Sequence, residues 1–378
     1  MDLILDIAIL LLAAKVGGEL TEYAGYPSII GELAGGIIVG TSVLGLIGDT
    51  SALERFADIG ILLLMFLAGA ETNLQELTKS AGSSVAVAIS GVVFPFMLGY
   101  LAAVAFGYGA SEGMFLGAAL TATSVSITVR ALFDIEKLNT SKGMTILGAA
   151  IIDDVIGVII FTLVVGLAVQ GELSALRIIE VIGVIIAFFL LSHFVVRRAM
   201  RRLFKYSRML RTEEGTETFV IVFVLLFALV AEEAYIAGIT GSFLAGIMLA
   251  QTHDRNTIIE KTKTVGYAFF IPLFFAFVGS RVDIWQILDV GAISVVVIVF
   301  AIVGKMGGSA IACKAIGMKI RDGLEIGIGM TPRMEVAIVI ANAALTEGVF
   351  AVPLYTSVVM MSFATTLITP PLLKKFFT

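Results

Sequence analysis

Two adjacent carboxylates, Asp153 and Asp154, stand in the middle of an apolar run, Gly148-Ala149-Ala150-Ile151-Ile152-Asp153-Asp154-Val155-Ile156-Gly157, and apolar residues continue through Val169. An ionised carboxylate at the centre of a bilayer costs about 2.5–3.5 kcal/mol on insertion scales, and acids kept at that cost mark ion and proton pathways. Packing against a basic partner across a polar gap is the alternative. A third intramembrane charge, Lys305, lies well inside Val295–Cys313, flanked by Gly304 and Gly307-Gly308. A bare ammonium there must deprotonate or pair, and an aspartate of the doublet is the expected partner. Neighbouring helical residues point about 100° apart at ~3.6 residues per turn. One carboxylate can therefore meet Lys305 while the other faces a cavity.

Two further stretches interrupt spans. Thr121-Ala122-Thr123-Ser124-Val125-Ser126-Ile127-Thr128 is crowded with hydroxyls, and Thr331-Pro332-Arg333-Met334-Glu335 contains a proline. Pro332 removes a backbone donor and disfavours helix at Thr331. Non-helical backbone at this depth survives where it lines a cavity or is buried in protein. Half-helix ends there offer carbonyls to cations and N–H groups to anions. Back-bonding of the hydroxyls to their own helix is the competing reading. Arg333 and Glu335 either pair with each other or join the site.

Composition sets the medium around these residues. The chain is 58% hydrophobic and 15% charged, with a mean hydropathy of +1.03. A soluble domain carries about a quarter charged residues, so this is an all-α polytopic membrane protein. The formal charge of −5 points to no nucleic-acid partner. Cys313 alone excludes an intrachain disulfide, and His193 and His253 alone argue against a His-rich metal site. No cofactor is expected. Leu3–Leu20 reads as a first span, not a signal peptide.

At ~20 apolar residues per span the chain divides into about thirteen helices: 3–23, 28–47, 53–71, 79–107, 111–131, 141–169, 175–200, 214–233, 235–251, 258–280, 287–313, 322–346 and 350–374. With the N-terminus outside, the inner connections and the C-terminus hold nearly all Lys and Arg, including the Arg197–Arg211 run. Only Arg55, Arg177 and Arg281 fall outside, which supports a cytoplasmic C-terminus. The chain also repeats itself. Gly31, Gly69 and Gly113 recur as Gly241, Gly279 and Gly323, each 210 residues on (31 and 241, 69 and 279, 113 and 323). Matched spans lie an odd number apart, so the second copy is expected to be inverted, the architecture of secondary transporters with a midplane site.

The hydroxyl run up to Arg130, the Ile152-Asp153-Asp154-Val155-Ile156-Gly157 motif, Lys305 and Pro332-Arg333-Met334-Glu335 together resemble the NapA-type sodium/proton antiporters, related in fold to NhaA. The resemblance covers essentially the whole chain. It implies two broken helices crossing at the midplane and a homodimer in the cytoplasmic membrane. It also implies that Asp154 is the principal carrier and that Asp153 pairs with Lys305. Two positions depart from the pattern: Ser124 stands where NhaA has an acid, and Met334 where the family usually has glycine. The implied organisation is scaffold and dimerisation helices at 1–75 and 214–281, transport-core halves at 79–169 and 287–378, and a linker helix with a basic cytoplasmic loop at 175–213.

The expected function is electrogenic exchange of Na+, and Li+ with it, for H+ by alternating access. Sodium is a hard ion that takes oxygen ligands, here Asp154 and Asp153 with Thr123 and Ser124, while Thr121, Arg333 and Glu335 are accessory. A carboxylate also takes a proton, so one group binds either ion but not both. A potassium-preferring antiporter of the same fold is the nearest alternative, and a sodium-coupled organic-anion carrier a more distant one. An ion channel would need a continuous pore. An intramembrane aspartyl protease would need carboxylates facing each other across a water, which adjacent residues of one helix do not supply.

Overall fold

The computed structural model describes residues 3–48, 51–170, 175–192, 215–251, 255–282 and 291–377. His193, His253 and the Arg197–Arg211 run lie outside them. Every regular element among the described residues is helical. Six of these helices are long and apolar enough to cross a membrane: Ala81–Ala105, Ala110–Asp134, Ser141–Val169, Arg255–Ser280, Ala292–Ala315 and Val352–Phe377. The chain forms two compact units, one of Met1–Leu74 and Glu180–Val282, the other of Gln75–Ile179 and Asp283–Thr378.

The first unit holds α1 (Leu3–Tyr23), α2 (Ser28–Val39) and α3 (Ser51–Glu71). It is completed by α10 (Gly215–Glu233), α11 (Gly238–Leu249), α12 (Arg255–Val265) and α13 (Ile271–Ser280), which α9 (Ala175–Leu191) precedes in the chain. Lipid tails are as apolar as leucine, so close backbone approach, more than apolar burial, holds such helices together. A Cβ added at Gly31 of α2 would lie 1.9 Å from the Gly17 carbonyl oxygen of α1, so these two helices touch main chain to main chain. The span expected over 28–47 stops at Val39 as a helix, and the chain turns from Gly40. There the Ser42 hydroxyl donates to the Val282 carbonyl.

The second unit contains, in chain order, α4 (Leu74–Lys79), α5 (Ala81–Ala105), α6 (Ala110–Thr121), α7 (Val125–Asp134) and α8 (Ser141–Val165). After the helices of the other unit come α14 (Ala292–Ala315), α15 (Ile320–Gly329), α16 (Glu335–Thr346) and α17 (Val352–Phe377). Phe115 of α6 is wholly buried in its core, edge-on to Phe161 and Phe350. At one end, Lys142 near the start of α8 meets Asp322 at 2.9 Å and also Glu325, which Arg321 holds from the other side at 3.0 Å. These ion pairs fix the start of α8, the helix of the aspartate doublet, to α15.

The helix boundaries themselves recur at the 210-residue offset. Ser28–Val39 corresponds to Gly238–Leu249 (28 and 238, 39 and 249), and α5 and α14 end at Ala105 and Ala315. Turns recur as well. Gly107 and Gly317 take positive φ values of 84° and 85° just beyond those two helices. Gly25 at 77° corresponds to Tyr235 at 60°, a left-handed position that favours glycine.

Candidate functional site

The site of the second unit is built on two interruptions. α6 stops at Thr121 and α7 begins at Val125, while α15 stops at Gly329 and α16 begins at Glu335. The two breaks join: the Ser124 N–H donates to the Pro332 carbonyl at 2.7 Å. Helix ends leave carbonyls without partners. Here each break supplies the other. Arg333, fully buried, donates from Nε and Nη2 to the Leu120 carbonyl at the end of α6, at 3.0 and 2.8 Å. It also donates to the Ala301 carbonyl at 3.0 Å and to that of Thr331. A cation thereby sits at the negative end of a half-helix dipole. In return the Thr128 hydroxyl of α7 donates to the Gly329 carbonyl at the end of α15, at 2.6 Å.

Asp153 projects from α8 beside this crossing and is 4% exposed. Both its oxygens face Lys305 of α14, with Nζ 3.2 Å from Oδ1 and 3.0 Å from Oδ2, and Lys305 is 0% exposed. The Thr123 hydroxyl donates to the same Oδ2 at 2.5 Å. Asp154, one residue on, is only half-buried. Its helical neighbourhood explains the difference: a rotation of about 100° takes the second carboxylate off the buried face. Glycine makes room for the lysine, since a Cβ at Gly91 of α5 would stand 3.4 Å from both Cδ and Nζ of Lys305.

The hydroxyls expected at the site divide. Thr123 reaches Asp153, and Ser124 lies 3.1 Å from Ser126, hydroxyl to hydroxyl. Thr121 bonds back to the Ala118 carbonyl at 2.7 Å, as helix back-bonding predicts. Arg333 spends its guanidinium on backbone carbonyls of both halves of the repeat. The side chain of Glu335 lies outside the described residues. Thr128 and Gly91 were not singled out by sequence. Thr128 carried a signal, as the last hydroxyl of the run, whereas Gly91 is one glycine among many.

Two cations, Lys305 and Arg333, thus accompany two carboxylates, Asp153 and Asp154, in one apolar unit. Charges buried on apolar helices, beside two further helices interrupted where they meet, fit a multi-pass membrane transporter. The chain matches the family model described as "Sodium/hydrogen exchanger, transmembrane" over residues 7–377 and belongs to that family. It is an antiporter exchanging sodium for protons, a transporter and not an enzyme. It is 38% identical over 373 residues to the "Probable Na(+)/H(+) antiporter GerT" of Bacillus cereus, covering 98% of both chains. It is 34% identical to the Na(+)/H(+)-K(+) antiporter GerN of the same organism, over 98% of this chain and 95% of that one. Its fold is similar to that of the sodium proton antiporter MjNhaP1 of Methanocaldococcus jannaschii, with a TM-score of 0.71 at 16% identity over 97% of this chain and 94% of that one.

Proposed function

We propose that the protein is an electrogenic, NapA-type antiporter of NhaA-like fold that works by alternating access. Asp154 is the carrier, binding either a proton or Na+, and Li+ in the same way. Asp153, Thr123 and Ser124 contribute oxygens to the cation, and Lys305 is the second proton carrier. The observation that carries this reading is the unequal state of the doublet: Asp153 is buried against Lys305 while Asp154 is the more accessible carboxylate. Sodium drawn to Asp154 recruits Asp153, Lys305 loses its counter-charge and releases its proton, and two protons leave for each sodium bound. Arg333 keeps its charge throughout and holds the crossing together.

The same reading assigns the unit carrying Asp153 to transport and the other to scaffold and dimerisation. The 210-residue recurrence supports inverted repeats of about thirteen spans in all. The excess of Lys and Arg on one side supports an N-terminus outside and a C-terminus in the cytoplasm, in the cytoplasmic membrane, as a homodimer. The test is proton-coupled flux in proteoliposomes with sodium, lithium and potassium in turn, under an imposed potential. Sodium-driven proton movement that responds to the potential is expected. Sodium flux indifferent to potential would defeat the two-proton scheme.

A further inference from the structure

Lys305 makes two hydrogen bonds, both to Asp153, and its ammonium can donate three. A neutral amine can donate two. Among the described residues, its only hydrogen-bond acceptors are the two oxygens of Asp153. If sodium draws Asp153 away, the side chain needs another acceptor, because a polar group left bare in the bilayer core is costly.

Such an acceptor lies beside it. Pro95 stands inside α5. Proline has no N–H to give the carbonyl four residues back, and its ring crowds that carbonyl aside. The residue four back is Gly91, buried, whose Cβ position is 3.4 Å from Lys305 Nζ. The helix carrying the lysine is pressed against the same proline: a Cβ on Gly304 would sit 3.1 Å from Pro95 Cα. The residue whose carbonyl lacks its helical donor is thus the residue against which the end of Lys305 packs, with no side chain between them.

We propose that the Gly91 carbonyl, uncovered by Pro95, is the acceptor that receives Lys305 when sodium binding draws Asp153 away. Pro95 is thus a positioning residue acting through Lys305. This rests on the reading that Lys305 leaves Asp153 during the cycle. It does not depend on the charge Lys305 carries then, because a carbonyl accepts from an ammonium and an amine alike.

The test is Pro95→Ala, which restores the N–H and returns the Gly91 carbonyl to the helix. Alanine suits a helix interior, so detergent-solubilised protein should melt no lower than the native chain. Sodium-driven turnover in proteoliposomes is expected to fall about tenfold, the scale of one hydrogen bond to a charged group, with the sodium KM within twofold. The decisive measurement repeats the substitution in Lys305→Gln protein, where it should have no further effect. If Lys305→Gln has no turnover, the comparison is read in the charge displaced by a sodium jump on a solid-supported membrane. Equal slowing in both backgrounds, or native turnover in Pro95→Ala alone, overturns the proposal. Lys305→Gln protein with native exchange and native potential dependence would instead defeat the role of Lys305, whatever Pro95→Ala does.

Discussion

Arg333 and Leu120 stand on opposite halves of the repeat, yet the guanidinium of one takes the carbonyl of the other through both Nε and Nη2. The planar fork of arginine suits this, because one group must also reach Ala301 and Thr331. Arg333→Lys keeps the charge and loses the fork. It and Arg333→Gln are both expected to destabilise the protein by about 2–4 kcal/mol, as hydrogen bonds to a buried charge are removed. Thermal melts in detergent measure this, and an Arg333→Lys melt equal to native would show that charge alone suffices.

Asp154→Asn removes the charge and the titration together while keeping the shape. Sodium-driven proton flux is expected to fall to the level of protein-free vesicles, with native yield and elution in size-exclusion chromatography. Retained flux in the purified variant would falsify the assignment of Asp154 as carrier.

Competition between ions sets the sign of the pH dependence. With Asp154 as the proposed shared site, sodium must displace its proton, so the apparent KM for sodium is expected to rise as pH falls, by about tenfold per unit for each proton displaced. Above that range the KM levels off. Initial rates measured at a series of pH values check this, and a KM flat on the acid side excludes a shared site.

Under the proposed two-proton scheme one charge moves per cycle, and the membrane potential contributes about 2.3 kcal/mol per 100 mV to it. An inside-negative potential across right-side-out vesicles is expected to speed sodium extrusion. Lys305→Gln is expected to blunt that response. Equal potential dependence in the variant and the native protein would leave Lys305 a structural partner of Asp153.

The two threonines beside the first break provide a paired comparison. Thr121→Val deletes a hydroxyl that, among the described residues, bonds its own helix at Ala118, so the sodium KM should stay within about twofold of native. Thr123→Val deletes the donor to Asp153 and an oxygen at the site, and the KM should rise about tenfold. Equal effects of the two substitutions would return Thr123 to a helix-bonding role.

The closeness of Lys305 to Asp153 was legible because an ammonium at that depth needs a counter-charge, and the doublet carries two. The places where α6 and α15 stop were legible from hydroxyl crowding and from Pro332. The cross-capping was not, since its acceptors are the carbonyls of Leu120, Ala301 and Gly329, and every residue has one. Helix ends within apolar stretches were equally hidden. Hydropathy runs on past Val39, so the turn from Gly40 looks like more of the same span. Tyr235 in a left-handed turn was hidden for the opposite reason: glycine marks such turns, and there the repeat has replaced it.

The hydrogen bond from the Ser124 N–H to the Pro332 carbonyl joins main chain to main chain. No side chain takes part, so drift in the genetic sequence scarcely touches it. At position 124 only proline would remove the donor, and at position 332 every amino acid keeps the acceptor. The hydroxyls and carboxylates around it can be exchanged one at a time over a frame that persists. A lineage can therefore revise which ion it carries without first having to reinvent the crossing.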